Sequence, residues 1–91
     1  MGHLNSDNRA LVMRVRRMVG QLQAVERALD EGEDCAKVLL QAAAVRGAVN
    51  GFIDELIEDH LRTHVAAPDL SDAEREEGLQ AVIAAIRRYA K

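Results

Sequence analysis

Apolar residues recur by fours and threes through two long stretches of this chain, and that spacing leaves little choice of fold. Leu11, Val15, Met18, Leu22, Val25 and Leu29 keep the rhythm in the first stretch, and Val38, Ala42, Val45, Val49, Phe52 and Leu56 keep it in the second. A repeat near 3.5 residues is the seam of one helix packed against another. A further stripe of Leu39, Ile53 and Ile57 lies beside the second seam, so that helix needs cover on a wide face. Aromatic residues are 2% of the chain, so the 48% apolar content is mostly Ala, Val, Leu and Ile. That mixture favours helix over strand. The expected class is all-α, with three helices in the protomer.

The helix ends are marked by their chemistry. Asp7 or Asn8 can cap the first helix and Gly32 can stop it, which predicts a helix over 8–31 behind an N-terminal arm of residues 1–7. Gly20 lies inside the pattern and costs about 1 kcal/mol against Ala, yet the seam runs through it. A short acidic turn at residues 31–34 leads to a second helix expected over 34–66, because Pro68 disfavours helix at the residue before it. Ser71-Asp72-Ala73-Glu74 has the pattern of a capping box and opens a third helix expected over 71–90. Leu79, Val82, Ile83, Ile86 and Tyr89 form its apolar face.

A turn that short makes the first two helices an antiparallel hairpin. The 91 residues read as a single domain. A chain of this length buries only about 60% of its unfolded surface, and this one has few large core residues. It is therefore expected to finish its core against another copy, two hairpins forming an antiparallel four-helix-bundle dimer. Ala42, Ala43, Ala44, Gly47, Ala48 and Gly51 would let two backbones approach closely in the middle of such an assembly. The third helix is left to pack outside or to serve further assembly.

Several classes are disfavoured. One Cys excludes an intramolecular disulfide framework. There is no apolar run near 18 residues and no basic-then-apolar start, so neither a membrane span nor a signal peptide is expected, and the expected compartment is a reducing cytosol. No carboxylate pair, Ser/His/Asp set or cofactor loop is visible, so an enzyme is not expected.

Four residues have metal-ligand chemistry: His3, Cys35, His60 and His64. His60 and His64 are one helical turn apart and share a face. Two imidazoles at that spacing can grip one transition-metal ion, although the same pair is also an ordinary polar helix end. Cys35 lies 25 residues before His60, about 37 Å along a continuous helix at 1.5 Å per residue, so the two cannot share an ion within one chain. In an antiparallel dimer the start of one second helix lies beside the end of the other, and Cys35 meets the partner's histidine pair. The N-terminal arm can fold over the same corner and bring His3, with the Gly2 or Asn5 backbone. Taken singly, His3 reads sooner as part of a loose terminus and Cys35 as a small buried hydrophobe, and it is their convergence on one corner that favours the ligand reading. Three nitrogens and a thiolate suit a borderline divalent ion such as Ni²⁺, Co²⁺ or Zn²⁺.

A basic constellation stands apart from these. Residues 1–27 carry five Arg against Asp7 and Glu26, a balance of +3, while residues 28–91 carry seven basic and thirteen acidic residues, a balance of −6; together they give the net −3. Arg14 and Arg17 share a face, Arg16 follows Arg9 by seven, and Arg46 interrupts the apolar middle of the second helix. Such charges often belong to a solvated face or an internal ion pair, but a local patch can bind phosphate whatever the total charge. No helix-turn-helix, zinc finger or basic zipper is visible, so any DNA contact would use the surface of a bundle.

The segment Arg14-Val15-Arg16-Arg17-Met18-Val19-Gly20-Gln21-Leu22, then Cys35, then Gln41-Ala42-Ala43-Ala44-Val45-Arg46-Gly47-Ala48-Val49-Asn50-Gly51 resembles the RcnR/FrmR/CsoR family of bacterial repressors, and the likeness extends through His60 to the terminal Tyr89-Ala90-Lys91. The resemblance implies an all-α dimer of dimers, a homotetramer without a helix-turn-helix, that binds operator DNA in the apo form and releases it when an inducer binds. It implies His3, Cys35, His60 and His64 as the ligands of a nickel- or cobalt-sensing branch, with Zn²⁺ also possible, and Arg14, Arg16, Arg17 and Arg46 as DNA contacts. Formaldehyde sensors of the family carry Pro at position 2 and Glu at position 64, where this chain has Gly2 and His64; its Arg-Val-Arg-Arg wording is nevertheless closer to that branch. A formaldehyde-responsive repressor using Cys35 and the N-terminal amine is the second reading. A helical metal-binding oligomer with no DNA role is the third.

Overall fold

The computed structural model of the chain describes residues 8–89, with side chains from Arg9 onward. It has three helices, α1 (Asn8–Asp30), α2 (Cys35–His64) and α3 (Asp72–Tyr89), and no strand among the described residues. The all-α expectation holds. The arm of residues 1–7, with Gly2, His3, Asn5 and Asp7, lies outside the described residues, as do Ala90 and Lys91.

Helices α1 and α2 end slightly short of the expected residues 31 and 66, and α2 and α3 each begin one residue after the expected start, where the capping residue sits outside the helical turns. The end of α1 is a Schellman motif: Gly32 takes φ +66°, its N–H donates to Leu29 O at 3.2 Å, and Glu33 N–H donates to Ala28 O at 2.9 Å. Asp34 caps α2, its carbonyl accepting from Val38 N–H at 3.1 Å. The close of α2 comes at His64 and not at 66, because the N–H groups of Val65 and Ala66 both turn back to Leu61 O, at 3.2 and 2.8 Å.

Two compact units share α2 between them. The first, Arg9–Ile53, is the antiparallel hairpin of α1 and the front of α2. Its inner seam keeps Leu11, Met18 and Val25 of the expected one and differs by one residue at the alternate positions. Leu11 and Ala28 are buried, with Arg14, Met18, Gln21 and Val25 half-buried between them; Val38, Gln41, Val45, Ala48 and Phe52 form the matching half-buried stripe of α2, with Phe52 against Arg14. Val15, Leu22 and Leu29, expected in the seam, are 40%, 54% and 63% exposed. The reason is that α1 carries two neighbouring stripes. The more apolar one (Val12, Val15, Val19, Leu22, Leu29) lies outside the hairpin, while the inner one accepts the stem of Arg14 and the amide of Gln21. Likewise α2 leaves Leu39 64% and Leu40 73% exposed. The side-chain oxygens of Gln21 and Gln41 are buried without a hydrogen-bond partner.

The second unit contains α2 from Asp54 onward together with α3, and polar bonds stitch it closely. The capping box forms as expected: Ser71 N–H donates to Glu74 Oε1 at 2.8 Å and Glu74 N–H to Ser71 Oγ at 3.1 Å. The donated Ser71 N–H, then the Ser71 side chain, hold the Glu74 carboxyl below the ordinary glutamate range. Arg75 reaches back to the connection, donating to the carbonyls of Val65, Ala67 and Leu70. Near the far end of α3, Tyr89 OH donates to Asp54 Oδ1 at 3.2 Å. Desolvation, helped by the Asp54 charge, raises the Tyr89 phenol above its usual value. Val82 and Gly78 are the buried residues of α3.

Candidate functional site

The last turn and a half of α2 carries the histidine pair. The i,i+4 spacing puts the rings of His60 and His64 together, with centroids 4.8 Å apart and planes inclined by 45°. Both side chains are half-buried. Nε2 of His60 lies 2.8 Å from the carbonyl oxygen of Gly78 on α3. A carbonyl can only accept, so Nε2 carries the hydrogen and, in the neutral ring, Nδ1 has the lone pair.

Gly78 makes that bond possible. A Cβ built there would fall on the His64 carbonyl oxygen, 2.8 Å from the carbonyl carbon and 2.9 Å from the His64 Cβ. Only glycine lets α3 come this close to the end of α2. Sequence reasoning missed this residue, although a glycine inside an otherwise well-formed helix costs about 1 kcal/mol against Ala and so signals a packing demand. Arg75 was missed too, and nothing in its sequence context separates it from the other basic residues.

The other expected ligands lie elsewhere. Cys35 is the first residue of α2, exposed and unbridged, and belongs to the other unit. His3 lies outside the described residues. Among the described residues no three His, Cys, Asp or Glu side chains gather into a metal-binding group. The pair therefore supplies two imidazole donors, a set whose chemistry suits a borderline divalent ion once further donors are added. Beside it, Glu58 pairs with Arg62 at 2.6 Å on the exposed face of α2.

The basic residues divide. Arg16, Arg17 and Arg46 are exposed. Arg14 is half-buried, its guanidinium carbon 5.8 Å from the centre of the Phe52 ring, within cation–π range. Arg27 is exposed as well, eleven residues after Arg16 and so on the same face of α1. It stands in the last turn of α1, where a cation faces the negative end of the helix dipole.

No helix among the described residues is long and apolar enough to cross a membrane. Residues 7–88 match the family described as metal-sensitive transcriptional repressor. Over its full 91 residues the chain is 45% identical to the whole of an uncharacterized protein in the bioA 5′ region of Serratia marcescens. It is 40% identical, again over the full length of both chains, to the transcriptional repressor RcnR of Salmonella paratyphi B. Among solved structures it is similar to a variant of the formaldehyde-responsive regulator FrmR from Salmonella enterica serovar Typhimurium, one in which histidine replaces a glutamate. That similarity has a TM-score of 0.87 and 39% identity over 97% of this chain and 99% of the other. With three helices, a full-length relative in RcnR and the fold of FrmR, the chain belongs to the metal-sensitive transcriptional repressors of the RcnR/FrmR/CsoR family, which are not enzymes.

Proposed function

We propose that the chain is a cytoplasmic repressor that holds operator DNA in the metal-free state and releases it on binding Ni²⁺ or Co²⁺, derepressing an efflux or detoxification gene. The observation that carries the reading is the histidine pair, with two rings side by side and one of them oriented by α3. Cys35 of a second subunit and His3 from the arm complete the donor set, in a homotetramer built as a dimer of dimers. The open stripes of α1 and α2 supply apolar surface for that assembly. The ion supplies a bridge between subunits. Arg16, Arg17 and Arg46 contact the DNA backbone, and Arg14 contributes from its place over Phe52. Phosphate contacts make such binding steeply salt-dependent, and readout by DNA shape suits a bundle surface. Reciprocity requires DNA to weaken metal binding by the same factor that metal weakens DNA binding.

A Co²⁺ titration of the reduced protein, followed by absorption and paired with operator gel shifts, tests this. An intense near-ultraviolet thiolate band that disappears in Cys35→Ala, together with loss of the DNA complex on adding metal, is the expected result. No thiolate band would overturn it.

The similarity to a formaldehyde-responsive regulator favours one second reading. There the Cys35 thiolate adds to the aldehyde carbon and the resulting alkoxide takes a proton. The N-terminal amine then displaces that hydroxyl as water, leaving an S–CH₂–N bridge. A mass increase of one carbon atom, with Co²⁺ failing to bind, would select this reading over the first.

A further inference from the structure

We infer that Gly78 is a positioning residue for His60, its backbone carbonyl fixing which ring nitrogen is offered to an inducer. Three observations meet here. Gly78 is buried, it is pressed against the last residue of α2 with no room for a Cβ, and its carbonyl oxygen takes the His60 Nε2 hydrogen at 2.8 Å. The close approach and the hydrogen bond are one device: because the helix backbones meet at residue 78, the carbonyl there reaches the ring one turn before the end of α2. Nε2 is then occupied, and Nδ1 is the nitrogen left to bind. An imidazole that donates one N–H to a backbone carbonyl is also held in tautomer and orientation. The Arg75 guanidinium, on the carbonyls of Val65, Ala67 and Leu70, keeps the α2–α3 connection in the shape that brings Gly78 to this point.

The part of this inference that concerns metal rests on the metal reading above, whereas the positioning of His60 does not. The two are separated by observing the ring nitrogens directly. In the metal-free full-length protein, ¹⁵N–¹H imidazole spectra should show a slowly exchanging His60 proton on Nε2. It should vanish in Gly78→Ala and persist in Ser71→Ala, a variant that weakens the start of α3 without touching residue 78. A proton found on Nδ1, a fast-exchanging Nε2 proton, or a signal unchanged in Gly78→Ala would overturn the positioning role. Circular dichroism tests whether Gly78→Ala is still helical; if that variant does not fold, the wild-type proton alone decides the question. Zn²⁺ is then added to the wild-type protein. A shift of the His60 Nδ1 resonance with the Nε2 proton retained is the expected result, and loss of that proton on zinc binding would overturn the assignment of Nδ1. Absence of any zinc-induced shift overturns the metal part and leaves the metal-free spectrum to decide the positioning.

Discussion

The two units of this chain are held by different forces. The Arg9–Ile53 hairpin closes over an inner seam of modest side chains, places two glutamine oxygens in it without partners, and leaves its more apolar stripes outside. The unit from Asp54 onward relies on directed polar bonds: a capping box, an arginine on three carbonyls, a tyrosine on an aspartate and a histidine on a glycine carbonyl. Apolar attraction has no direction and saturates only when surface runs out. Hydrogen bonds fix one arrangement and are then complete. The difference separates a surface suited to assembly from a scaffold suited to holding a histidine ring in place.

The largest test of that contrast is to charge the open stripe. Burying a leucine contributes about 1.5–3 kcal/mol, so Leu22→Glu combined with Leu39→Glu should weaken self-association by well over tenfold, as read by sedimentation equilibrium. An unchanged association constant would show that these leucines lie outside every interface. Next in size is Arg75→Ala in the polar unit. Charge-assisted hydrogen bonds contribute about 1.5–3 kcal/mol each, discounted here because the side chain is only half-buried. A net loss of about 2 kcal/mol is expected, with faster amide exchange over residues 65–78 and little change in the hairpin.

Ser71→Ala removes the hydroxyl that accepts the Glu74 amide and should cost about 1 kcal/mol in denaturant unfolding. The sign of its pH dependence follows from Glu74. A carboxyl whose folded pKa is lowered contributes fully above the ordinary glutamate value and loses that contribution as pH falls through the folded value. The wild type should therefore lose stability faster than the variant over that acid window. The smallest effect, and the one whose sign matters most, belongs to Gly20→Ala. A Cβ there meets nothing within 4 Å among the described residues, so helix propensity alone predicts a gain of about 1 kcal/mol. A loss would place a second subunit against Gly20.

Most of the fold was legible in the sequence. Gly32, Ser71 and Glu74 announced helix ends through local chemistry, and local chemistry needs no knowledge of tertiary packing. The seam of α1 was right at Leu11, Met18 and Val25 and misplaced between them because Val15 and Leu22 are more apolar than Arg14 and Gln21, and a one-chain pattern cannot say which of two adjacent stripes faces the chain's own partner helix. His60 and His64 were readable from spacing, since a helix puts such pairs together whatever surrounds it. Gly78 was not, because its role depends on a backbone meeting between residues 14 apart on different helices.

That meeting bears on how such a repressor can change over generations. The atoms that exclude a Cβ at position 78 are the carbonyl carbon and oxygen and the Cβ of His64, and every residue other than glycine has all three. These are the three nearest atoms, and none of them is an imidazole atom. A lineage that exchanges the side chain at 64 still keeps those three atoms opposite position 78, whereas every codon change that replaces Gly78 pushes α3 away. The fold thus ties Gly78 to atoms that any side chain at 64 would bring with it, so the glycine must be kept whatever stands opposite it.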